Sequence, residues 1–318
     1  MASKPRARYA FVLLTLIAAF LVIALVMCLP SSREEPEKSG APSPVPLDAR
    51  TPAPLQETTS PAEGSALERL ACRTGGAPSA EPERPEKGER MAIIIDDAGY
   101  NLDDLGPFLE YPGPLAIAVL PNLPFSAESA RRIISAGKTL LLHCPMEPLN
   151  GENPGPGALL TSQTDEELES LLESALATVP GAVGVNNHMG SKATADERLM
   201  SVFFSFLKEK RLFFVDSRTT VESVGERTAG LYSVPFLARD VFIDNEKDEK
   251  DITQSIVSGM AKAKTRGSAV LIGHIHTPQI LDILKKEEQV FRESEIRIVD
   301  LAEIFKYEKG TGSEDTRD

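Results

Sequence analysis

The sequence predicts an α/β fold built on a parallel sheet. Beyond residue 90, apolar runs of four to seven residues alternate with amphipathic stretches. Most runs are continuously apolar, as is typical of strands buried on both faces. This alternation implies right-handed crossovers, in a barrel or in an open doubly wound sheet. The predicted strands are Met91–Ile95, Leu115–Leu120, Thr139–Leu142, Ala182–Val185, Leu212–Val215, Val241–Ile243 and Ala269–Ile272.

Capping motifs mark where the predicted helices begin. A helix over 126–136 ends before Gly137, and another starts at Thr277-Pro278, with proline at the first helical position. Capping pairs predict three further helix starts, at Thr164 with Glu167, Thr194 with Glu197, and Asp251 with Gln254.

Composition and charge restrict the class of protein. The chain has 318 residues, of which 42% are hydrophobic, enough for a substantial core. The formal net charge of −13 argues against a phosphate-backbone binder, so nucleic acid is not an expected partner. The three cysteines (Cys28, Cys72 and Cys144) lie in different regions, which argues against a disulfide scaffold and a cysteine zinc finger.

The N-terminal segment predicts a membrane anchor. Basic residues precede an uncharged run that is long enough to cross a hydrocarbon core of about 30 Å, and acidic residues follow it. A cleaved signal peptide and a lipoprotein anchored at Cys28 are the alternatives. The expected organisation is a cytoplasmic N-terminus at 1–9, a transmembrane signal anchor at 10–29, a proline-rich disordered linker at 30–90, a folded domain at 91–307 and a flexible tail at 308–318.

Chemically reactive side chains collect where the predicted strands end. All four histidines (His143, His188, His274 and His276) follow predicted strands, and so does the pair Asp96-Asp97. In parallel α/β folds the carboxyl ends of the strands meet on one rim. We therefore expect these groups to converge on one site.

Two of these groups have both a functional and a structural interpretation. Asp96 and Asp97 offer a metal ligand and a base, or else a helix N-cap with a neighbouring surface charge. Only one of two adjacent carboxylates is expected to point along the strand axis into the site. His143 and Glu147 have the spacing to share a metal on a tight turn, or His143 is a buried histidine satisfied by the backbone.

The remaining strand ends are also polar. The run 186–191, which includes His188, is rich in side-chain donors that are costly to bury without a ligand. His274 and His276 share a face of extended chain, and either could be a general acid or a ligand. Four further residues could position a substrate or form structural ion pairs: Asp216, Arg218, Arg239 and Asp240.

Several familiar chemistries are absent from the sequence. It contains no Gly-x-Ser-x-Gly nucleophile elbow, no Walker-type phosphate loop and no dinucleotide fingerprint at a strand end. The remaining Asp, His and Glu groups suit zinc or another divalent ion that activates water for hydrolysis.

Six ordered motifs resemble those of the divergent polysaccharide deacetylase family. The resemblance covers roughly 91–305 and implies a distorted (β/α) barrel with about seven strands. The implied barrel is of the carbohydrate esterase type. The motifs are Ile-Ile-Asp-Asp-Ala-Gly, Leu-His-Cys-Pro-Met-Glu-Pro, Asn-Asn-His-Met-Gly-Ser, Phe-Val-Asp-Ser-Arg-Thr, Arg-Asp-Val-Phe-Ile-Asp-Asn and Gly-His-Ile-His.

The resemblance implies roles for individual residues. In better-characterised deacetylases of this superfamily, the first Asp of the pair is the general base and the second binds the metal. Asp96 would then be the base, Asp97 a ligand and His274 the general acid. The resemblance also implies that Arg239 and Asp240 tune the base.

One departure from the family pattern concerns the third metal ligand. The standard enzymes use a His-x3-His motif, whereas here His143 is followed by Glu147 at that spacing. Glu147 or His188 could complete the site, and we favour His188. The expected cofactor is a divalent metal, zinc in the first instance. The expected substrate-binding residues are Glu147, Asn187, Ser191, Asp216, Arg218, Arg239, Asp240 and His276.

The leading functional hypothesis is a membrane-anchored, extracytoplasmic, metal-dependent hydrolase that deacetylates an envelope polysaccharide. It places a single-pass protein in the inner membrane, with its catalytic domain in the periplasm or outside the cell. The main alternative is a catalytically inactive carbohydrate-binding or envelope-assembly protein on the same fold. A third hypothesis is a hydrolase for a peptide amide or a phosphoester.

Overall fold

The computed structural model describes residues 88–312, which form one α/β unit around a parallel sheet. Its strands are β1 (Glu89–Ala98), β2 (Ala116–Val119), β3 (Thr139–Met146), β4 (Gly184–Met189), β5 (Phe213–Asp216), β6 (Phe236–Ala238), β7 (Val241–Phe242), β8 (Ser268–His274) and β9 (Ile296–Ile298). Its helices are α1 (Leu105–Glu110), α2 (Ser126–Ser135), α3 (Asp165–Thr178), α4 (Glu197–Lys210), α5 (Gly225–Tyr232), α6 (Glu249–Arg266), α7 (Gln279–Lys286), α8 (Glu288–Glu293) and α9 (Leu301–Gly312).

The sheet curls because its two ends meet in one short segment. The strand order is β6-β5-β4-β3-β2-β1-β8-β7, with β9 paired to the start of β1. Segment 236–242 contains both β6, which pairs with β5, and β7, which pairs with β8. The two terminal strands of the sheet therefore belong to one short stretch of chain. All these pairings are parallel, which agrees with the predicted α/β class.

Two apolar cores lie on the two faces of the curled sheet. The outer core packs the strands against the surrounding helices, with side chains such as Phe108, Phe203 and Leu271. The inner core is smaller and contains Ile94, Val270 and other alternating strand residues. Helix α9 contributes Phe305 and its neighbours to this inner core, and therefore closes one end of it.

All seven predicted strands are present, but the sheet has nine strands in residues 88–312. Strands β6 and β9, of three residues each, were not predicted. Strands β3 and β4 extend beyond their predicted ends, to Met146 and Met189. As a result, His143 and His188 are strand residues rather than loop residues.

The capping box at Thr164 and Glu167 is confirmed. The predicted start of α4 is wrong by two residues: Asp196 caps this helix, because the Thr194 hydroxyl donates instead to the Gly190 carbonyl.

The other two predicted helix starts also shift. Helix α6 begins one turn before its predicted start, because Asp248 accepts a hydrogen bond from the backbone N–H of Asp251. Pro278 occupies the N-cap position of α7 rather than its first helical residue.

The predictions for residues 1–87 and 313–318, including the membrane anchor and most of the linker, lie outside the described residues. Within residues 88–312, no helix combines the length and the apolar composition needed to span a bilayer.

Candidate active site

The alternation of strand residues builds a polar layer above the inner core. Every second side chain of a strand faces the same side. Ile94 on β1 and Leu141 on β3 belong to the inner core, so Asp96 and His143, two residues further on, continue inward. The same alternation orients three more polar residues inward: Asn186 and His188 on β4, and His274 on β8.

Both carboxylates of the aspartate pair reach this layer, so the expectation that only one would do so is wrong. Strand β1 changes register between Ile95 and Ala98, and Asp97 has a left-handed backbone with φ of 68°. This local twist turns Asp97 back toward the side that Asp96 faces. Positive φ in a non-glycine residue is costly and is often found at functional sites.

Three side chains from three strands form a group that could hold a metal ion. The Asp97 Oδ1 atom lies 3.3 Å from Nε2 of His143 and 3.1 Å from Nδ1 of His188. The two ring nitrogens are 3.1 Å apart. Ligands bound about 2.0–2.1 Å from a tetrahedral ion lie about 3.3 Å from one another, so this triangle has the size that zinc requires.

Two further observations fit a cation at this position. Asp97 Oδ1 is buried and makes no hydrogen bond of good geometry within residues 88–312. A carboxylate with two imidazoles is also a common ligand set for zinc and similar ions. The expected preference for His188 over Glu147 therefore agrees with the geometry.

Asn186 links the general-base candidate to the metal-ligand candidate. Its side-chain N–H donates to Asp96 Oδ1 over 2.8 Å, and its Oδ1 accepts from Nδ1 of His143 over 2.9 Å. Because Nδ1 of His143 carries the proton, Nε2 presents its lone pair to the three-ligand group. Asn186 was absent from the expected site residues, although it belongs to the quoted Asn-Asn-His-Met-Gly-Ser motif.

The electrostatics separate the two aspartates. Burial raises the pKa of Asp96, which is only 2% exposed, and this outweighs the neighbouring histidines. Burial would also raise the pKa of Asp97, but His143 and His188 together hold that pKa well below its usual range. Asp97 therefore loses its proton more readily than Asp96, and Asp96 is the more basic of the two carboxylates.

His274 lies beside Asp96 in the sheet and is held by a second carboxylate. Its Nδ1 donates to Asp244 Oδ1 over 2.9 Å, and its backbone N–H donates to Asp244 Oδ2 over 3.0 Å. Burial opposes protonation of His274, but Asp244 outweighs it and raises the pKa of His274 to about 9. His274 is therefore protonated at neutral pH, as a general acid must be.

Two aromatic rings stack on the imidazole of His274. The centroid of Phe242 lies 6.0 Å away and that of His276 lies 5.4 Å away, with interplanar angles of 21° and 27°. Asp244 and Phe242 had no predicted role. The signal for Asp244 was its place directly after a predicted strand, the same place that Asp96 occupies.

Glu147 lies outside the three-ligand group. Its carboxylate accepts hydrogen bonds from the backbone and the hydroxyl of Thr161, both over 2.7 Å, and pairs with Lys192 over 2.7 Å. These contacts hold the loop after β3 in place. The expected metal or substrate role of Glu147 therefore has no support in its contacts.

Asn187 and Asp216 point away from the polar layer because they occupy the alternate strand positions. Asn187 binds the backbone of Ser217 and Met189, and Asp216 accepts from the Ser223 hydroxyl and the Arg218 backbone. Both side chains are buried and order the loops around the site.

Ser191, another expected substrate-binding residue, likewise makes a loop contact. Its hydroxyl accepts from the backbone N–H of Leu149 over 2.9 Å. This bond ties the loop after β4 to the loop after β3.

The three remaining expected residues do not contact the aspartate pair. Arg239 donates to the carbonyls of Ser217 and Arg218 and lies 3.7 Å above the Phe242 ring. Arg218 is exposed and pairs with Glu226 over 3.4 Å.

Asp240 pairs with Arg266 and accepts from the backbone N–H of Val270. Val270 lies four residues before His274 on β8, about 13 Å along a strand. Asp240 is therefore a structural group near the start of β8 and does not tune Asp96 by contact.

The fold and site together define a curled parallel α/β barrel with a triangle of one carboxylate and two imidazoles. Residues 93–305 match the divergent polysaccharide deacetylase family. The chain belongs to this family, and the resemblance predicted from the motifs is confirmed.

Two curated relatives support this membership. An uncharacterized protein of Haemophilus influenzae is 32% identical over 220 residues, covering 69% of this chain and 78% of that protein. The uncharacterized protein YibQ of Escherichia coli is 34% identical over 202 residues, covering 64% of this chain and 63% of YibQ.

A solved structure shares the fold. The crystal structure of an uncharacterized protein from Agrobacterium tumefaciens C58 superposes with a TM-score of 0.67 at 20% identity. The superposition covers 76% of this chain and 95% of that one. At this level of identity the likeness concerns the fold alone.

Proposed function

We propose that this protein is a metal-dependent hydrolase that removes acetyl groups from an envelope polysaccharide. The proposal rests on two groups of side chains that lie in the same polar layer. One group is the triangle of Asp97, His143 and His188 beside buried Asp96. The other is His274, held by Asp244.

Asp97, His143 and His188 would hold the divalent ion, with zinc as the first candidate. When bound there, the ion would polarise the acyl carbonyl and lower the pKa of a water molecule. Nδ1 of His143 stays bonded to Asn186, which would leave Nε2 unprotonated and available as a ligand.

Asp96 and His274 would move the protons. Asp96 accepts the proton of the attacking water, because its pKa is raised by burial and its Oδ1 is fixed by Asn186. His274 donates a proton to the departing nitrogen or oxygen. Asp244 keeps the proton on Nδ1 in place, so that Nε2 carries the proton that is transferred.

The cellular setting is part of the proposal. The basic segment followed by the apolar run at 10–29 supports a single-pass anchor in the inner membrane. The domain would then act in the periplasm or outside the cell, on a polysaccharide of the envelope.

Acetate release tests this function. The full-length protein is incubated with acetylated chito-oligosaccharides and acetylated xylan, with and without prior treatment with a chelator. We expect acetate release that chelation abolishes and zinc restores. Asp96→Asn should reduce the turnover number at least about 10²-fold while the protein retains its metal, since the base acts only in the chemical step.

Three results would contradict the proposal. Acetate release that is unaffected by chelation would exclude a metal-dependent reaction. An Asp96→Asn protein with full activity would remove the proposed base. Glycan binding without any acetate release from the metal-loaded protein would favour a carbohydrate-binding protein.

A further inference from the structure

A pocket opens directly beside the three-ligand group. It is a small, partly open pocket. Its walls come from the end of β1, the loop after β1 and the loop after β8. The lining residues that matter are Asp97, Tyr100, Asn101, Asp104, Ile275 and His276.

The pocket shares two walls with the candidate active site. Asp97 belongs to both the pocket and the three-ligand group. His276 lines the pocket and stacks on His274. A molecule in the pocket would therefore lie next to the reacting acyl group rather than on a remote surface.

The loop after β1 presents an aromatic ring to this pocket. Asn101 and Asp104 hold the loop, because Asn101 donates from its side chain to Asp104 Oδ2 and accepts from the Asp104 backbone. Gly99 has φ of 120°, and a Cβ there would lie 3.1 Å from the Leu120 carbonyl oxygen. Tyr100, between them, is 59% exposed. An exposed ring at the edge of this pocket suits the C–H face of a sugar.

The charges of the lining residues restrict which sugar can bind. Asp104 contributes a carboxylate, Asp97 is neutralised by the proposed ion, and no Lys or Arg lines the pocket among the residues that the structure describes. Asp103 adds a further exposed carboxylate to the same loop. Uronic acids and phosphorylated sugars would meet like charge here, whereas an uncharged ring would not.

We propose that this pocket binds the uncharged sugar ring adjacent to the acetylated one, with Tyr100 as its stacking platform. This inference rests on the proposed function, since it places the neighbouring residue of the same polysaccharide. Tyr100 would therefore contribute to binding of the polysaccharide and not to the deacetylation step.

Calorimetric titration tests the subsite independently of turnover. The full-length protein carrying Asp96→Asn, which suppresses turnover of the acetylated probe, is titrated with tetra-N-acetylchitotetraose, an uncharged probe, and with tetragalacturonate, an anionic probe of equal length. We expect the dissociation constant for the uncharged probe to rise about tenfold in Tyr100→Ala and less than about twofold in Tyr100→Phe, which keeps the ring. Tetragalacturonate should bind at least about tenfold more weakly than the uncharged probe.

A matched control is Leu231→Ala on α5, a side chain that is 73% exposed and outside the pocket. It should bind like the Asp96→Asn parent. Equal binding by Tyr100→Ala and that parent, or preferred binding of tetragalacturonate, would overturn the proposal. So would the absence of any binding of the uncharged probe.

Kinetics separate failure of the subsite from failure of the proposed function. In Tyr100→Ala, KM for the acetylated oligomer should rise about tenfold. Tyr100-dependent binding without acetate release would retain the subsite and reject the hydrolase. Acetate release with an unaltered KM in Tyr100→Ala would retain the hydrolase and reject the subsite.

Discussion

On strand β3, His143 and Cys144 are both buried, but they face opposite sides of the curled sheet. His143 enters the polar layer with Asp97, whereas Cys144 lies in the outer core, where burial raises its thiol pKa to about 12. Strand β4 repeats the contrast, with Asn186 bound to Asp96 and Asn187 bound to loop backbone. The face of the strand that a residue occupies, rather than its residue type, therefore decides whether it joins the candidate active site or supports the fold.

The largest effect should separate His143 from Cys144. We expect His143→Ala to lower kcat/KM at least about 10³-fold, because the site loses one of three ligand atoms. Cys144→Ala should keep the activity and lose about 1 kcal/mol of unfolding free energy through its small cavity. Acetate release and denaturant unfolding are measured for both variants. Equal activities would contradict our assignment of His143 to the active site and Cys144 to the outer core.

The second effect concerns the pH dependence of kcat/KM, which His274 and Asp244 should control. His274 must be protonated to act as the acid, and Asp244 raises its pKa to about 9, so kcat/KM should fall as the pH rises through about 9. In Asp244→Asn the pKa returns toward about 6.5, and the alkaline limb should move down by about two pH units. A pH–rate profile measures the shift.

Asp240→Asn is the control for this profile, since Asp240 lies four residues before Asp244 but pairs with Arg266. Its alkaline limb should match that of the wild type. An unchanged limb in Asp244→Asn would contradict the role of Asp244, and a shifted limb in Asp240→Asn would contradict our placement of Asp240 away from the site.

A smaller effect should distinguish the two adjacent asparagines. Asn186→Ala should weaken zinc binding about 10- to 100-fold, because His143 loses the partner that fixes its protonated nitrogen. Asn187→Ala should bind zinc normally but lose about 1–3 kcal/mol of unfolding free energy, because it leaves the buried Ser217 N–H unpaired. Zinc titration and thermal unfolding of both variants measure these changes, and the reverse pattern would contradict our assignment.

The sequence predicted the class of fold and most of the site because both depend on local pattern. Continuous apolar runs marked seven of the nine strands in residues 88–312, and the polar residues that follow these runs include Asp96, His143, His188 and His274. These signals need no knowledge of tertiary contacts.

The remaining features depend on contacts between distant residues. Asn186 and Asn187 are identical in type and adjacent, so only the register of β4 reveals which one faces Asp96. The register change and positive φ at Asp97 likewise depend on the pairing of β1 with β2. Asp240 appeared functional because its partner, Arg266, lies 26 residues away.

The central claim is that His188, and not Glu147, completes the metal site. The most direct test is the metal content of the full-length protein after zinc loading and dialysis, with His188→Ala and Glu147→Ala measured together. We predict about one zinc per chain in the wild type and in Glu147→Ala, and little in His188→Ala. Loss of zinc in Glu147→Ala with retention in His188→Ala, or a wild type that binds none, would contradict this account.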